Sequence, residues 1–549
     1  MRKPNTRLQV MWNRLLAVVE EQGQALIRAA FSPIVRECGD ISAGIFDLQG
    51  RMLAQAVTGT PGHINTMAEA VKTLRDRFEV KDMKPGDIFL TNDPWIASGH
   101  LNDFLLMMPV FHNGEVVGFT SCTSHLVDLG GLGMGPEGAD IYDEGLLIPP
   151  CKLMDQGALN ALLMEIIKAN SREPIANEGD IYALIACCET GAARLAGMMD
   201  EFGLNDLDAL ADYIIEISYQ GTLDALAELP KGTWNSILKV DGYEKEIDLH
   251  AALTLADDHV LLDFSGTSGL SRKGINVPLN YATAYAVFAL RCIIGPDIPN
   301  NAGSLAPFQV TAPTDCILNA QAPAPVAMRH TLGQMTPDLV YGCLSQAVPD
   351  RVPAEGASCM YDLPLRHAAE TALNGGEKFA LELVFSGGTG ARPGLDGLSA
   401  TAFPSGVWGS QIETTEAVAP VLFTRRELKQ DSGGPGSHRG GLGQHIELRS
   451  AIDEDFIVFL SVERVLNPAN GRHGGMAGAA GRIRIGHEGA DLPGKGEVRV
   501  NAGKTLVFET PGGGGFGPPQ DRSVAAVRRD LEDGLISSQA ARDIYGVDT

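Results

Sequence analysis

The sequence predicts an α+β protein of several packed units, in which a β-rich N-terminal unit precedes a helical block and a glycine-rich, β-rich C-terminal part. Three observations predict this class. Strand and hairpin patterns dominate the first part of the chain, helix formers dominate residues 157–229, and short β-like runs rich in glycine fill residues 380–518. A chain of 549 residues also exceeds one ordinary core. The expected units are residues 1–155, 156–229, 230–380, 381–518 and a helical tail at 519–549.

The early part of the chain is typical of one long helix followed by two hairpins. Apolar residues at spacings of three, four and seven predict a packing helix over residues 8–31. Residues 42–47 and 51–57 form two predicted strands joined by a short turn, which places Asp40 just before a strand. The clearest hairpin joins residues 104–111 to 115–121, because Asn113-Gly114 supplies the positive φ angles of a tight turn.

The remaining elements follow from the same periodicities. A helix is expected over residues 65–78 and a short buried strand over 88–91. The later helices are expected at 156–169, 180–202, 206–228 and 280–294, and the tail is helical over 523–545. The later strands are expected at 233–240, 247–255 and 259–264.

Charge and cysteine content exclude several classes of protein. The formal net charge is −25 and Lys and Arg do not cluster, so no nucleic-acid partner is expected. Asn13 and Arg14 interrupt the apolar residues near the N-terminus, so neither a secretion signal nor a membrane span is predicted, and a cytoplasmic location is expected. Nine cysteines without CxxC spacing predict neither a disulfide scaffold nor a cysteine zinc site.

The densest polar cluster surrounds the second hairpin. His100 and Asp103 precede it and His125 follows it, so the three side chains can meet, and Asp40 is a candidate fourth ligand. A divalent metal is bound by neutral imidazoles and carboxylates from rigid neighbouring elements, and this set suits zinc, manganese or iron equally. His63 is a further candidate neighbour. The alternative is that these are ordinary loop and capping residues, since His-x-x-Asp is common by chance.

Other catalytic arrangements have less support in the sequence. There is no Gly-x-Ser-x-Gly nucleophile elbow and no Gly-x-x-x-x-Gly-Lys-Ser/Thr loop, and neither Gly-x-Gly-x-x-Gly string, at 133–138 and 512–517, lies between a strand and a helix. The glycine runs are therefore interpreted as tight structural turns, and ATP binding by this chain is not predicted. Metal-activated water remains, with Asp128 or Glu144 as candidate bases and surface solvation as the alternative for both.

Blocks along nearly the whole chain resemble the hydantoinase B and oxoprolinase family. The matching blocks include residues 30–33 and 40–47, 99–103, 125–131, 143–150, 170–174, 323–325, 431–436 and 510–517. The resemblance implies that the family's metal ligands correspond to Asp40, His100, Asp103 and His125. This sequence departs mildly from the family pattern at Asn102, where Pro is more usual, and at Cys38-Gly39, where bulkier residues are common.

The resemblance also implies a reaction and a partner. A hydantoinase A-like subunit would bind ATP and Mg²⁺ and phosphorylate the substrate, and this chain would supply the metal site within a hetero-oligomer. The expected reaction is hydrolysis of a cyclic amide, whether a lactam, a hydantoin or an oxoproline ring. Two alternatives stay open: a subunit of an ATP-dependent ketone carboxylase, and a non-catalytic scaffold that stabilises its partner.

Overall fold

The computed structural model describes residues 5–57, 59–368, 375–376 and 378–548. The helices are α1 Thr6–Ala29, α2 Pro33–Arg36, α3 Pro61–Arg77, α4 Ile141–Glu144, α5 Ala161–Asn170, α6 Pro174–Phe202, α7 Asp208–Ala227, α8 Leu279–Ile293, α9 Ala302–Leu305, α10 His330–Gly333, α11 Thr336–Ala347, α12 Ile412–Val418, α13 Val524–Glu532 and α14 Ser538–Asp543. The strands are β1 Ile41–Phe46, β2 Met52–Gln55, β3 Ile88–Thr91, β4 Asp103–His112, β5 Glu115–His125, β6 Cys151–Asp155, β7 Ala158–Leu159, β8 Gly232–Val240, β9 Ile247–Leu255, β10 Val260–Asp263, β11 Phe308–Thr311, β12 Tyr361–His367, β13 Ala380–Phe385, β14 Val421–Leu428, β15 Gln444–Ser450, β16 Phe456–Ser461, β17 Arg482–Ile485, β18 Lys495–Val500 and β19 Thr505–Glu509. The predicted α+β class is confirmed.

A seven-stranded antiparallel sheet forms the first core, with strand order β2-β1-β5-β4-β3-β6-β7. Successive residues of a strand point to opposite faces of a sheet. On β4, Phe104 and Leu106 accordingly pack in the cluster that contains α1 and α6, while Leu105 and Met107 pack in the cluster that contains α3. Both faces are covered, which explains the almost continuous apolar sequence of this strand.

Two further cores follow along the chain. The sheet β11-β10-β9-β8 packs against α8 and α11 around a second apolar cluster. The sheets β13-β12-β16-β18 and β14-β15-β19-β17 share a third cluster and form a sandwich. The unit boundaries expected near residues 155, 229, 380 and 518 stay predictions.

The glycine runs have a structural role, but they let backbone segments pack against one another where tight turns were predicted. Segments near residues 388, 434, 441 and 513 lie backbone against backbone. Gly434 N donates to Gly513 O over 2.8 Å, and Gly513 N donates to Gly441 O over 3.0 Å. A Cβ atom on Gly513 would overlap the carbonyl oxygen of Thr389, so the close approach of these segments requires glycine.

Several predicted boundaries are wrong by a few residues. Residues 156–159 are not helical: Gln156 and Gly157 both have positive φ angles and turn the chain from β6 into β7. Helix α3 begins at Pro61, capped by Thr60, and therefore includes His63. The tail forms two helices because Gly534, with φ of 72°, ends the first.

Helix α6 is long and apolar enough to cross a membrane by length and composition alone. Half of that apolar window is buried within the protein, and the helix packs against α1, β4 and β5. A core helix passes the same test, so this feature is weak evidence for a span. The expected cytoplasmic location stays a prediction.

Replacing Gly513 with Ala is expected to destabilise the protein, because the added methyl group overlaps the Thr389 carbonyl. Overpacking of this kind typically costs about 1–3 kcal/mol. The matched control is Gly197→Ala on the exposed side of α6, where a Cβ meets nothing within 4 Å and helix propensity favours alanine. Thermal unfolding of both variants measures the difference. Equal stability of the two would contradict the close-packed interpretation.

Candidate metal centre

The register of three neighbouring strands brings the predicted ligands to one end of the first sheet. Asp103 and His125 lie directly opposite each other in the β4–β5 pair. Ile41 of β1 lies opposite Ser124 of β5, so Asp40 reaches the same level, and its carbonyl accepts the backbone N–H of His125 over 3.3 Å. His100 belongs to the loop between β3 and β4. The predicted convergence of His100, Asp103 and His125 is present.

Asp103 lies at the centre of the cluster and is fully buried. Its Oδ1 is 2.8 Å from His100 Nε2 and 3.1 Å from His125 Nδ1. Its Oδ2 is 2.9 Å from His63 Nε2 and 2.6 Å from Arg329 Nη2. Burial alone would raise the pKa of Asp103, but His100, His63 and Arg329 lower it well below its ordinary value, so the side chain is a carboxylate.

The contact between His100 and Asp103 is the observation that fits a metal. His100 Nδ1 lies 2.9 Å from the carbonyl oxygen of Ala327, which can only accept, so the proton is on Nδ1 and the lone pair is on Nε2. Burial, with the nearby Arg329, lowers the pKa of His100 to about 4, and Asp103 opposes this shift. His100 Nε2 and Asp103 Oδ1 face each other at 2.8 Å, so both atoms are directed at one place where a cation could bind.

Ligand atoms of His100, Asp103 and His125 all lie within 4.8 Å of one another, and the three residues are buried. Two imidazoles and a carboxylate are donors that zinc, manganese and iron accept. This triad could therefore hold a divalent metal, while the identity of that metal stays a prediction.

Asp40 lies beside this triad. Its Oδ1 is 3.4 Å from His63 Nδ1, and neither atom has a hydrogen-bond partner in the described part of the chain. Burial raises the pKa of Asp40 while His63 lowers it, and the pKa of His63, which burial alone would lower, is raised by Asp103 and Asp40. The role of Asp40 as a fourth ligand stays a prediction.

Four buried residues from later in the chain complete the polar interior: Arg329, His330, Asp362 and Glu382. The Arg329 guanidinium stacks over the Tyr281 ring at 4.2 Å and donates from Nε to Ser98 O over 3.0 Å. Glu382 Oε2 lies 2.9 Å from His125 Nε2, and His330 Nε2 lies 3.5 Å from Asp362 Oδ2. None of the four was predicted from the sequence as a site residue.

The two candidate bases occupy different positions. Asp128 has both oxygens engaged: Oδ1 accepts from Arg172 Nη1 over 2.6 Å, and Oδ2 accepts the backbone N–H groups of Arg172 and Gly130. Glu144 Oε1 accepts the backbone N–H groups of Val326 and Ala327 over 2.7 and 2.9 Å. Because Ala327 O also faces His100 Nδ1, Glu144 helps to fix the segment that orients His100. A catalytic role for either carboxyl stays a prediction.

Comparison with known proteins places the chain among related sequences over nearly its whole length. A family model described as Hydantoinase B/oxoprolinase matches residues 5–519. An uncharacterized protein of Methanocaldococcus jannaschii is 30% identical over 543 residues, covering 96% of this chain and 93% of that protein. The beta chain of the caprolactamase of Pseudomonas jessenii is 29% identical over 579 residues, covering 98% of this chain and 95% of that protein. One component of a putative D-/L-hydantoinase of Pseudomonas sp. (strain NS671) is 28% identical over 564 residues, covering 98% and 94%.

Two solved structures share the fold. The crystal structure of ATP-dependent caprolactamase from Pseudomonas jessenii matches with a TM-score of 0.90 and 26% identity, covering 100% of this chain and 97% of that one. A nucleotide-free acetone carboxylase structure matches with a TM-score of 0.86 and 21% identity, covering 99% of this chain and 80% of that one. The second likeness concerns the fold alone.

Glu144 is expected to make stability depend on pH. Burial raises the pKa of Glu144 from 4.5 to about 8, so the stability that the protonated carboxyl contributes is complete below 4.5 and is lost as the pH rises to 8. The loss is about 1.4 kcal/mol for each pH unit in that window. Glu144→Gln keeps the acceptor and cannot ionise, so its stability relative to the wild type should increase from pH 5 to pH 8.

Thermal and urea unfolding at the two pH values measure this difference. The matched control is Glu115→Gln at the exposed start of β5, which makes the same substitution outside the buried interior. A Glu144→Gln offset that is constant between pH 5 and pH 8 would contradict the prediction.

Proposed function

Because the chain belongs to the hydantoinase B/oxoprolinase family, we propose that it is the metal-dependent subunit of an ATP-dependent enzyme that opens a cyclic amide ring. The ring would be a lactam, a hydantoin or an oxoproline. The single observation that carries the proposal is the buried triad of His100, Asp103 and His125, whose ligand atoms all lie within 4.8 Å of one another. Such an arrangement is stable when a cation lies between its donors.

The proposed ligands are His100, Asp103 and His125, with Asp40 as a fourth. A divalent zinc, manganese or iron ion bound there would lower the pKa of a water molecule and polarise the amide carbonyl. The side chains of this protein hold the site in shape: Ala327 O keeps the lone pair of His100 on Nε2, and the β4–β5 register holds Asp103 opposite His125.

Arg329 is proposed to stabilise negative charge. It lies against Asp103, is 4% exposed and is fixed by Ser98 O and the Tyr281 ring. A buried guanidinium that is already ordered binds an oxyanion at little entropic cost. The negative charge that develops as the ring opens, or the phosphoryl group of an activated substrate, would be such an anion.

Glu144 is retained as the candidate general acid or base. Its pKa of about 8 lies near neutrality, and its Oε2 has no hydrogen-bond partner among the described residues. Asp128 has both oxygens engaged by Arg172 and Gly130, so we propose that it holds the loop before α6 in place.

The partner is proposed to be a hydantoinase A-like subunit that binds ATP and Mg²⁺. The names of two relatives, the caprolactamase and the putative hydantoinase, describe the matching chain as one of their subunits, which supports a complex of two kinds of chain. Unstrained ring amides resist hydrolysis, and phosphorylation of the amide oxygen on the partner would make the carbon electrophilic. The metal subunit would then direct water to that carbon.

A ketone carboxylase is the second candidate, supported by the fold shared with acetone carboxylase. The complex with its ATP-binding partner should be assayed for ATP hydrolysis dependent on lactams, hydantoins, oxoproline or ketones. Ring opening coupled to ATP supports the amide hydrolase, whereas incorporation of labelled bicarbonate with a ketone supports the carboxylase.

His125→Ala and Asp103→Ala are expected to lower both bound metal and ATP-coupled turnover of the complex, turnover by about 10³-fold or more, because each removes a proposed ligand. Metal analysis of the purified complex and a steady-state assay provide the two measurements. The matched control is His112→Ala on the same hairpin, where the imidazole contacts Asp200 at 2.9 Å, away from the cluster. A folded, assembled and fully active His125→Ala complex would favour the non-catalytic scaffold.

A further inference from the structure

Glu382 reaches the proposed metal ligands from a distant part of the chain. It lies on β13 in the third core, whereas His125 ends β5 in the first. Glu382 Oε2 lies 2.9 Å from His125 Nε2, and their side chains are only 4% and 2% exposed. We propose that Glu382 is the positioning residue that orients His125 for the metal, an inference that rests on the proposed metal site.

The two nitrogens of His125 face different groups. Nδ1 lies 3.1 Å from Asp103 Oδ1, which is also the atom that His100 Nε2 contacts, so Nδ1 is the nitrogen that would bind the metal. A neutral imidazole that ligates through Nδ1 carries its proton on Nε2, and that N–H needs an acceptor. Among the described residues, His125 Nε2 and Glu382 Oε2 have no hydrogen-bond partner elsewhere, and their separation suits an N–H···O bond.

His100 has the equivalent arrangement with a different acceptor. Its Nδ1 faces the carbonyl oxygen of Ala327 at 2.9 Å, which leaves Nε2 for the metal. Both histidines would thus be fixed through the nitrogen that does not ligate, one by a carbonyl and the other by a carboxylate. A carboxylate additionally increases the basicity of the imidazole, so Glu382 should affect affinity as well as orientation.

The strand that carries Glu382 gives no other reason for a charge at this position. Leu381 and Leu383 flank it and are buried in the apolar sandwich, and Leu383 lies opposite Leu363 of β12. A buried carboxylate is costly unless it is paired, and Glu382 pairs with His125 at 2.9 Å and also interacts with the neighbouring carboxyl of Asp362.

The experiment measures the affinity of the apo-protein for Zn²⁺ and Mn²⁺ by competition with a chelating dye. Glu382→Met removes the acceptor with a side chain of similar length that an apolar strand tolerates, and it should weaken binding by about 10–100-fold. Glu382→Gln retains an acceptor oxygen and should lose clearly less affinity. The visible spectrum of the Co²⁺-loaded protein reports ligand geometry and should change in Glu382→Met.

The control is Glu463→Gln, an equally buried acid of the third core that contacts Lys495 and lies outside the metal cluster. It should bind metal as the wild type does. If Glu382→Met does not fold, Glu382→Ala takes its place, with thermal unfolding used to select folded variants.

The outcomes separate this inference from the proposed function. A wild-type protein that binds no divalent ion overturns both. A wild type that binds metal, with Glu382→Met binding within twofold of it and an unchanged Co²⁺ spectrum, overturns the role of Glu382 alone. An equal loss of affinity in Glu382→Met and Glu463→Gln also overturns that role, because it would indicate general destabilisation.

Discussion

The buried carboxylate of Asp103 is the group on which the arrangement of the site depends. Its charge is buried away from water, where an uncompensated ion would be strongly destabilising. Three imidazoles and one guanidinium surround it, so the polar interior is organised around one anion. The ligand atoms of His100, Asp103 and His125 also lie within 4.8 Å of one another, an arrangement that could hold a further cation.

The strand register carries the same constraint into the fold. Asp103 lies opposite His125 because the hairpin turns at Asn113-Gly114, and both faces of the sheet are buried. A shift of the strand register by one residue would move a ligand to the other face of the sheet. It would also turn the apolar side chains of β4 towards the opposite core. Later parts of the chain then complete the site, since Arg329 lies beside Met328 in the second core and Glu382 lies on a strand of the third. The centre therefore lies where three hydrophobic cores meet.

Local sequence signals predicted the part of the site that local structure creates. Asn113-Gly114 and the alternating residues around it indicated the hairpin, and His100, Asp103 and His125 flank that hairpin. The neighbouring position of β1, which brings Asp40 to His125, depends on pairing between strands that are distant in sequence. His63 lies in α3 because that helix begins at Pro61. The helical periodicity of the sequence becomes clear only from residue 65 onwards.

Arg329 and Glu382 could not be predicted to reach the cluster, because each lies more than 200 residues from it and periodicity contains no information on such contacts. One signal was present: Glu382 interrupts the apolar run around Leu381 and Leu383, and a buried charge requires a partner. The mistaken helix at 156–159 has a similar origin, since helix formers on one side concealed a two-residue turn at Gln156-Gly157. The glycine runs indicated close backbone geometry but not which segments would meet.

The most direct test of the account is anomalous X-ray scattering from crystals of the metal-loaded protein. We expect one divalent ion bound by His100 Nε2, an oxygen of Asp103 and His125 Nδ1, with metal–nitrogen distances of about 2.0–2.1 Å. An anomalous peak elsewhere, or a fully loaded crystal in which His100 Nε2 still contacts Asp103 directly and no ion lies beside them, would contradict it.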